Sequence, residues 1–195
     1  MFGISYLDIS AGLGLCATGL LTFNFLLGMM LSTAYKRSAY WKKCPPFIQK
    51  ISIDDLHNWT AYIALLFVLL HHIFLVLDKE THFSFSNILL PIQAPKQPLI
   101  VLLGSISLFA FLLVIITTQK IIKNKMGFRL WKNIHLLSYA TALLFIFHGL
   151  LMDPELKDRP TDWLDAEKFL SEICFILLVI ASIIRYRYFL RSRKS

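Results

Sequence analysis

Four stretches of this chain run for 20 residues or more without a single Asp, Glu, Lys or Arg: residues 9–35, 56–77, 97–119 and 133–152. An α-helix rises 1.5 Å per residue, so about 20 apolar residues cross the hydrocarbon core of a bilayer. Four membrane spans are expected on that count alone. A fifth is strictly uncharged only over residues 173–184, and a full-length span over 169–190 must take in Glu172, Arg185 and Arg187. Charges that close to a span end can reach the headgroups along their own apolar stems. The expected fold is an all-α membrane protein, a single domain over residues 1–195 with five transmembrane helices in a bundle, at about 9–34, 55–77, 97–119, 131–152 and 169–190.

Composition agrees: 56% of the residues are hydrophobic and 16% charged, against roughly 25% charged in a soluble domain. The net charge of +8 would suggest nucleic acid as a partner if the chain were soluble. Its Lys and Arg residues instead fall in short clusters between apolar runs, so membrane lipid is the expected partner and nucleic acid is not. Cys16, Cys44 and Cys174 form no Cys-x-x-Cys or Cys-x-x-Cys-His, which removes the usual signatures of structural zinc, a thioredoxin-like site and covalent c-type heme. The first ten residues have no basic segment and no small-x-small cleavage site follows, so the first run is expected to be a retained helix.

Basic residues in short loops stay on the cytoplasmic side. Lys36, Arg37, Lys42, Lys43 and Lys50 follow the first run, Lys120, Lys123, Lys125, Arg129 and Lys132 the third, and Arg185, Arg187, Arg191, Arg193 and Lys194 end the chain, fifteen of the twenty in all. The alternate segments carry Lys79, Lys96, Lys157, Arg159 and Lys168, together with the acidic run Asp153, Glu155, Asp158, Asp162, Asp165 and Glu167. This places the N-terminus outside and the C-terminus in the cytoplasm, with Lys42 and Lys125 inside and Lys96 and Asp158 outside. The expected location is the cell inner (plasma) membrane, as a multi-pass protein. Trp41, Trp59, Trp131 and Trp163 lie at or near span ends and read as an interfacial aromatic belt.

Five of the six histidines, His57, His71, His72, His135 and His148, fall in the second and fourth runs. Ionisable side chains are expensive at membrane depth and usually functional there. His57 and His71 are 14 residues apart and His135 and His148 are 13 apart, a rise of roughly 20 Å in both cases. The two runs point the same way, so each offers an imidazole at two matched depths. Such a pair of helices can hold two stacked hemes, with His57 and His135 on the inner iron and His71 and His148 on the outer one. Bis-imidazole ligation leaves no open position and suits electron transfer. Zinc or copper would want its ligands gathered at one depth.

At about 100° per residue, 14 residues return to within about 40° of the same face, whereas 13 leave the pair about 140° apart. A π-bulge, a kink or a different approach angle is therefore expected in the fourth span. His72 is an alternative to His71. Arg129 and Lys132, just before that span, are candidates to pair with heme propionates, and positive-inside topology explains them equally well. His82 and the outer acidic loop are candidates to dock a partner protein or a metal.

The segments Leu56-His57-Asn58-Trp59-Thr60-Ala61-Tyr62 running to His71-His72, and Trp131-Lys132-Asn133-Ile134-His135-Leu136 running to His148, resemble the ferric-reductase-like transmembrane domain. That family is shared by ferric reductases, NADPH oxidases and the heme subunit of the periplasmic methionine sulfoxide reductase system, the last being closest in size. The resemblance covers roughly residues 10–190 and implies two b-type hemes on the paired histidines. The family often has six spans and a basic residue after the first His; here five spans are counted and Asn58 stands there. Reductases and oxidases of the family continue into a flavin and nicotinamide domain, whereas these residues contain no Gly-rich dinucleotide motif.

The expected function is a di-heme b-type cytochrome subunit, an electron carrier of an oxidoreductase system. It would take electrons from a donor protein, flavin or quinol on the cytoplasmic or membrane side and pass them to an acceptor protein or small molecule outside, with any flavin supplied by a partner. The alternatives are a ferric or other metal reductase acting at the outer heme, and a structural or transport subunit whose histidines pack or relay protons.

Overall fold

The structure, a computed structural model, describes residues 4–33, 35–153, 155–157 and 168–192. Expectations that rest on Asp158, Arg159, Asp162, Trp163, Asp165, Glu167, Arg193 and Lys194 lie outside the described residues. The described residues hold five long helices: α1 (Tyr6–Leu31), α2 (Ile53–Leu77), α3 (Pro98–Thr118), α4 (Phe128–Leu151) and α5 (Phe169–Ser192). All five are long and apolar enough to cross a membrane, and no strand occurs among the described residues.

Helix starts differ from the charge-free runs where a charge belongs to the helix. α1 begins ahead of residue 9 because Ser5 and Asp8 form a capping box. The Asp8 N–H donates to Ser5 Oγ at 3.0 Å and the Ser5 N–H to Asp8 Oδ2 at 2.9 Å, and a carboxylate in the first turn complements the helix dipole. Ser52 caps α2 with its side chain alone, accepting from the Asp55 N–H at 3.3 Å. α4 starts directly after Gly127, whose φ of 81° suits glycine. A seven-residue helix, Lys120–Met126, fills the basic connection before it.

α1 packs antiparallel on α2 and α3 on α4, while α1 also lies along α5 and touches α4. The two histidine-bearing helices, α2 and α4, pack on α1 and α3 and only sparsely on each other. All five helices meet in one core that includes Leu21, Ala64, Phe111, Ile146 and Leu178, of which Ala64 and Ile146 are wholly buried. In a bilayer apolar burial between helices gains little over lipid, so close approach and polar contacts hold the bundle. Gly149 of α4 lets Ser171 of α5 come within 3.2 Å of where a Cβ would stand, and Arg185 of α5 donates to Ser32 Oγ at 2.7 Å. The outward faces of α2 and α5, with Leu66, Leu69, Ile176 and Ile184 exposed, are apolar surfaces that lipid solvates.

Candidate functional site

The antiparallel pairing of α1 and α2 sets a register that repeats after 14 residues. At one end the His71 Nδ1–H donates to the Ser10 carbonyl at 2.8 Å, and the Ser10 hydroxyl donates back to the His71 carbonyl at 2.9 Å. Fourteen residues along, the His57 Nδ1–H donates to the Asn24 carbonyl at 3.1 Å, and Asn24 Nδ2 donates back to the His57 carbonyl at 2.5 Å. Four residues after each accepting carbonyl stands a glycine. A Cβ on Gly14 would lie 3.2 Å from His71 Nδ1, and one on Gly28 3.2 Å from His57 Cε1. In a helix the side chain four residues on covers the carbonyl below it, so glycine opens that carbonyl to an imidazole from outside.

α3 and α4 repeat the device once. The His148 Nδ1–H donates to the Ile100 carbonyl at 2.9 Å, and four residues on, a Cβ on Gly104 would lie only 2.9 Å from His148 Nδ1 and Cε1. Ile100 has no polar side chain to donate back. A carbonyl can only accept, so in these three histidines Nδ1 carries the proton and Nε2 keeps its lone pair. That is the tautomer a metal-binding imidazole needs, with the second nitrogen anchored to the backbone.

His135 is different. Its Nδ1 is buried without a partner, and its ring stacks on Trp131, centroids 5.2 Å apart and planes 23° apart. The His57 and His135 rings lie 6.2 Å apart at 73°, so these two form one tier at the basic end of the bundle, while His71 and His148 occupy the opposite end of the same helices. α4 is an uninterrupted α-helix, so the π-bulge among the three expectations for the 13-residue spacing does not occur. His148 turns to α3, and His135, a further 100° or so round the helix than a 14-residue gap would leave it, turns off α3.

His72 donates Nδ1–H to the Val68 carbonyl of its own helix at 2.7 Å and meets the His71 ring edge-on at 5.1 Å. Arg129 and Lys132 are exposed, and Lys132 Nζ sits 6.0 Å from the Phe128 ring centre. His82 is exposed in a turn with φ of 56°, and no metal-binding cluster of His, Cys, Asp and Glu occurs among the described residues. Trp131, read from sequence as part of an aromatic belt, lies against His135. Lys123 Nζ is 3.9 Å from the Trp131 ring centre, and the Trp131 indole N–H is buried without a partner. Trp41 meets Tyr35 edge-on at 4.9 Å, and Trp59 is exposed beside Tyr62.

Sequence reasoning passed over Ser10, Gly14, Asn24, Gly28, Ile100 and Gly104, and it gave Trp131 no contact with a histidine. The signal was present for α1, since Gly14 and Gly28 are 14 residues apart, as are Ser10 and Asn24, matching His57 and His71.

No curated protein matches the chain. Residues 13–146, which take in most of α1, all of α2 and α3, most of α4 and three of the four paired histidines, match the family described as ferric reductase like transmembrane component. The chain is a multi-pass membrane protein and belongs to the ferric-reductase-like transmembrane family.

Proposed function

We propose that this chain is a di-heme b-type cytochrome subunit that carries electrons across the inner (plasma) membrane, with His57 and His135 holding one heme and His71 and His148 the other. The observation that carries this reading is the backbone anchoring of three imidazoles, each leaving Nε2 bare, on two parallel helices at two depths. The 6.2 Å between the His57 and His135 rings fits two imidazoles sharing one metal, since two metal–nitrogen bonds of about 2 Å each plus half of each ring come to roughly 6 Å. The sparse packing of α2 on α4 suits a large planar group between them. His71 repeats the contacts of His57 with α1, whereas His72 is bonded within its own helix, which favours His71 as the ligand.

Heme, when bound, supplies a one-electron iron couple. The residues around it fix ligand direction through Ser10, Asn24 and Ile100, and keep water away through the apolar core. At the basic end the unpartnered Trp131 N–H and Lys123 join Arg129 and Lys132 as donors for a propionate. Electrons arrive from a flavoprotein, reduced flavin or quinol on the basic side and leave to an acceptor outside.

The deciding measurement is a pyridine hemochrome assay on the purified protein, expected to give about two noncovalent b-type hemes with low-spin spectra. A protein without a Soret band ends the reading. NADPH alone is expected to leave the hemes oxidised, and a flavin reductase or a quinol to reduce them. Cysteines introduced at Lys42, Lys125 and Lys96 in a background lacking Cys44 test the sidedness: an impermeant reagent on intact cells is expected to label position 96 alone.

A further inference from the structure

The connection between α1 and α2, residues 32–52, contains no acidic residue and five basic ones, Lys36, Arg37, Lys42, Lys43 and Lys50, all of them exposed. It is an ordered piece of chain. A single 3₁₀ turn (Tyr35–Arg37) leads into two short helices, Ala39–Lys43 and Pro46–Gln49. The Trp41 N–H donates to Ser38 Oγ at 3.1 Å, and Trp41 packs edge-on against Tyr35. Gln49 Nε2 donates to the Cys44 carbonyl at 2.7 Å and to the Lys42 carbonyl at 3.3 Å, which ties the second short helix to the end of the first. The segment nevertheless turns large apolar groups outward: Tyr40 is 87% exposed, Phe47 69% and Ile51 44%.

We propose that residues 35–51 form an interfacial hook that lies in the headgroup layer and binds anionic phospholipid. Tyr40, Phe47 and Ile51 enter the boundary with the acyl chains, and the basic side chains meet lipid phosphates. Both ends of the segment are fixed to membrane spans, and the exposed apolar surface continues into α2 through Trp59, Tyr62 and Ile63. Aromatic groups interleaved with Lys and Arg next to a bilayer are complementary to a negatively charged lipid surface. Asp54 and Asp55 follow in the first turn of α2, where they complement the helix dipole, and residues 32–55 still carry five positive charges against two negative. Positive-inside topology accounts for the basic residues but not for the outward Tyr40 and Phe47. The inference requires only that α1 and α2 cross a membrane and is independent of heme.

The test places a bimane fluorophore on the native Cys44, which stands between the two short helices, in the full chain held in lipid nanodiscs. The discs are phosphatidylcholine alone or with one third phosphatidylglycerol, and both carry lipid with a nitroxide quencher near the top of the acyl chain. Cys44→Ser protein, treated alike, gives the background from Cys16 and Cys174. Quenching is expected to be at least about twofold greater in the anionic discs. Lys42→Gln combined with Lys43→Gln should abolish that excess, since each lysine near the surface is worth about fivefold in lipid affinity, and salt at about 1 M, where the Debye length is about 3 Å, should do the same. Tyr40→Ser combined with Phe47→Ser should lower quenching in both lipids. All four substitutions fall on exposed side chains, so the bundle is expected to keep its fold. Equal quenching in the two lipids overturns the proposal. So does a Cys44 that neither lipid quenches, which would leave the patch facing water as a surface for an acidic protein.

Discussion

The helix pairs α1–α2 and α3–α4 have the same layout, an antiparallel hairpin whose second helix carries a histidine near each end, with His72 beside His71 in α2, yet they hold the paired histidines with different completeness. In α1–α2 both spacings are 14 residues, so Ser10 and Asn24 meet His71 and His57 with the same reciprocal pair of hydrogen bonds, each beside a glycine. In α3–α4 the histidine spacing is 13, and only His148 finds a free carbonyl beside a glycine. A one-residue difference turns a helix by about 100°. That rotation is enough to remove an imidazole from a facing backbone. The comparison teaches that a histidine at the right depth and a histidine held in one tautomer are separate achievements of a sequence.

The largest effect that would break this comparison is loss of a whole heme. His71→Ala and His148→Ala are each expected to remove about half of the bound heme, the same half in both cases, and His57→Ala and His135→Ala the other half. Hemochrome content and the surviving low-spin signal measure this. His72→Ala should retain both. If His72→Ala emptied a site and His71→Ala did not, the equivalence of His57 and His71 on α1 would be lost, and with it the reading of α1–α2 as an internal repeat.

Smaller effects are expected from the glycines, graded by the room each has. A Cβ on Gly104 would meet His148 at 2.9 Å, on Gly14 or Gly28 it would meet a histidine at 3.2 Å, and on Gly12 or Gly19 it would meet nothing within 4 Å. Overpacking costs about 1–3 kcal/mol where neighbours cannot move away. Gly104→Ala should therefore weaken heme retention about tenfold, Gly14→Ala and Gly28→Ala by less, and Gly12→Ala not at all, as read by heme loss to excess apomyoglobin. Equal losses at Gly12 and Gly104 would mean that small residues matter here for helix packing in general and not for histidine anchoring.

The spans were legible because charge is expensive in hydrocarbon, and the errors came from the same rule. Taking Asp8 as a terminator placed the first helix three residues late, although a carboxylate in a first turn belongs to the helix. The paired depths of the histidines were legible from rise per residue. Their anchoring was not, because it depends on which α1 and α3 carbonyls come opposite, and that register is set by packing between helices distant in sequence. The stacking of Trp131 on His135 was hidden for a related reason. A tryptophan at a span end looks the same whether it meets headgroups or stacks four residues on against His135.

The smallest predicted effect sharpens the difference between Asn24 and its counterpart Ile100. Asn24 Nδ2 donates to the His57 carbonyl and to Thr60 Oγ1 at 2.8 Å, contacts that Ile100 has no means to make with His148. Interhelical hydrogen bonds in membranes average about 0.6 kcal/mol, so Asn24→Ala should destabilise the bundle by about 1 kcal/mol in a reversible unfolding titration. The Asn24 main-chain carbonyl remains in the variant. His57 should therefore keep its Nδ1 anchor, and the basic-end heme should stay low-spin and fully occupied. A loss of heme comparable to that of His57→Ala would show that the side-chain donor, and not the backbone acceptor, is what holds the imidazole. The two helix pairs would then differ in kind, since His148 has no such donor from Ile100.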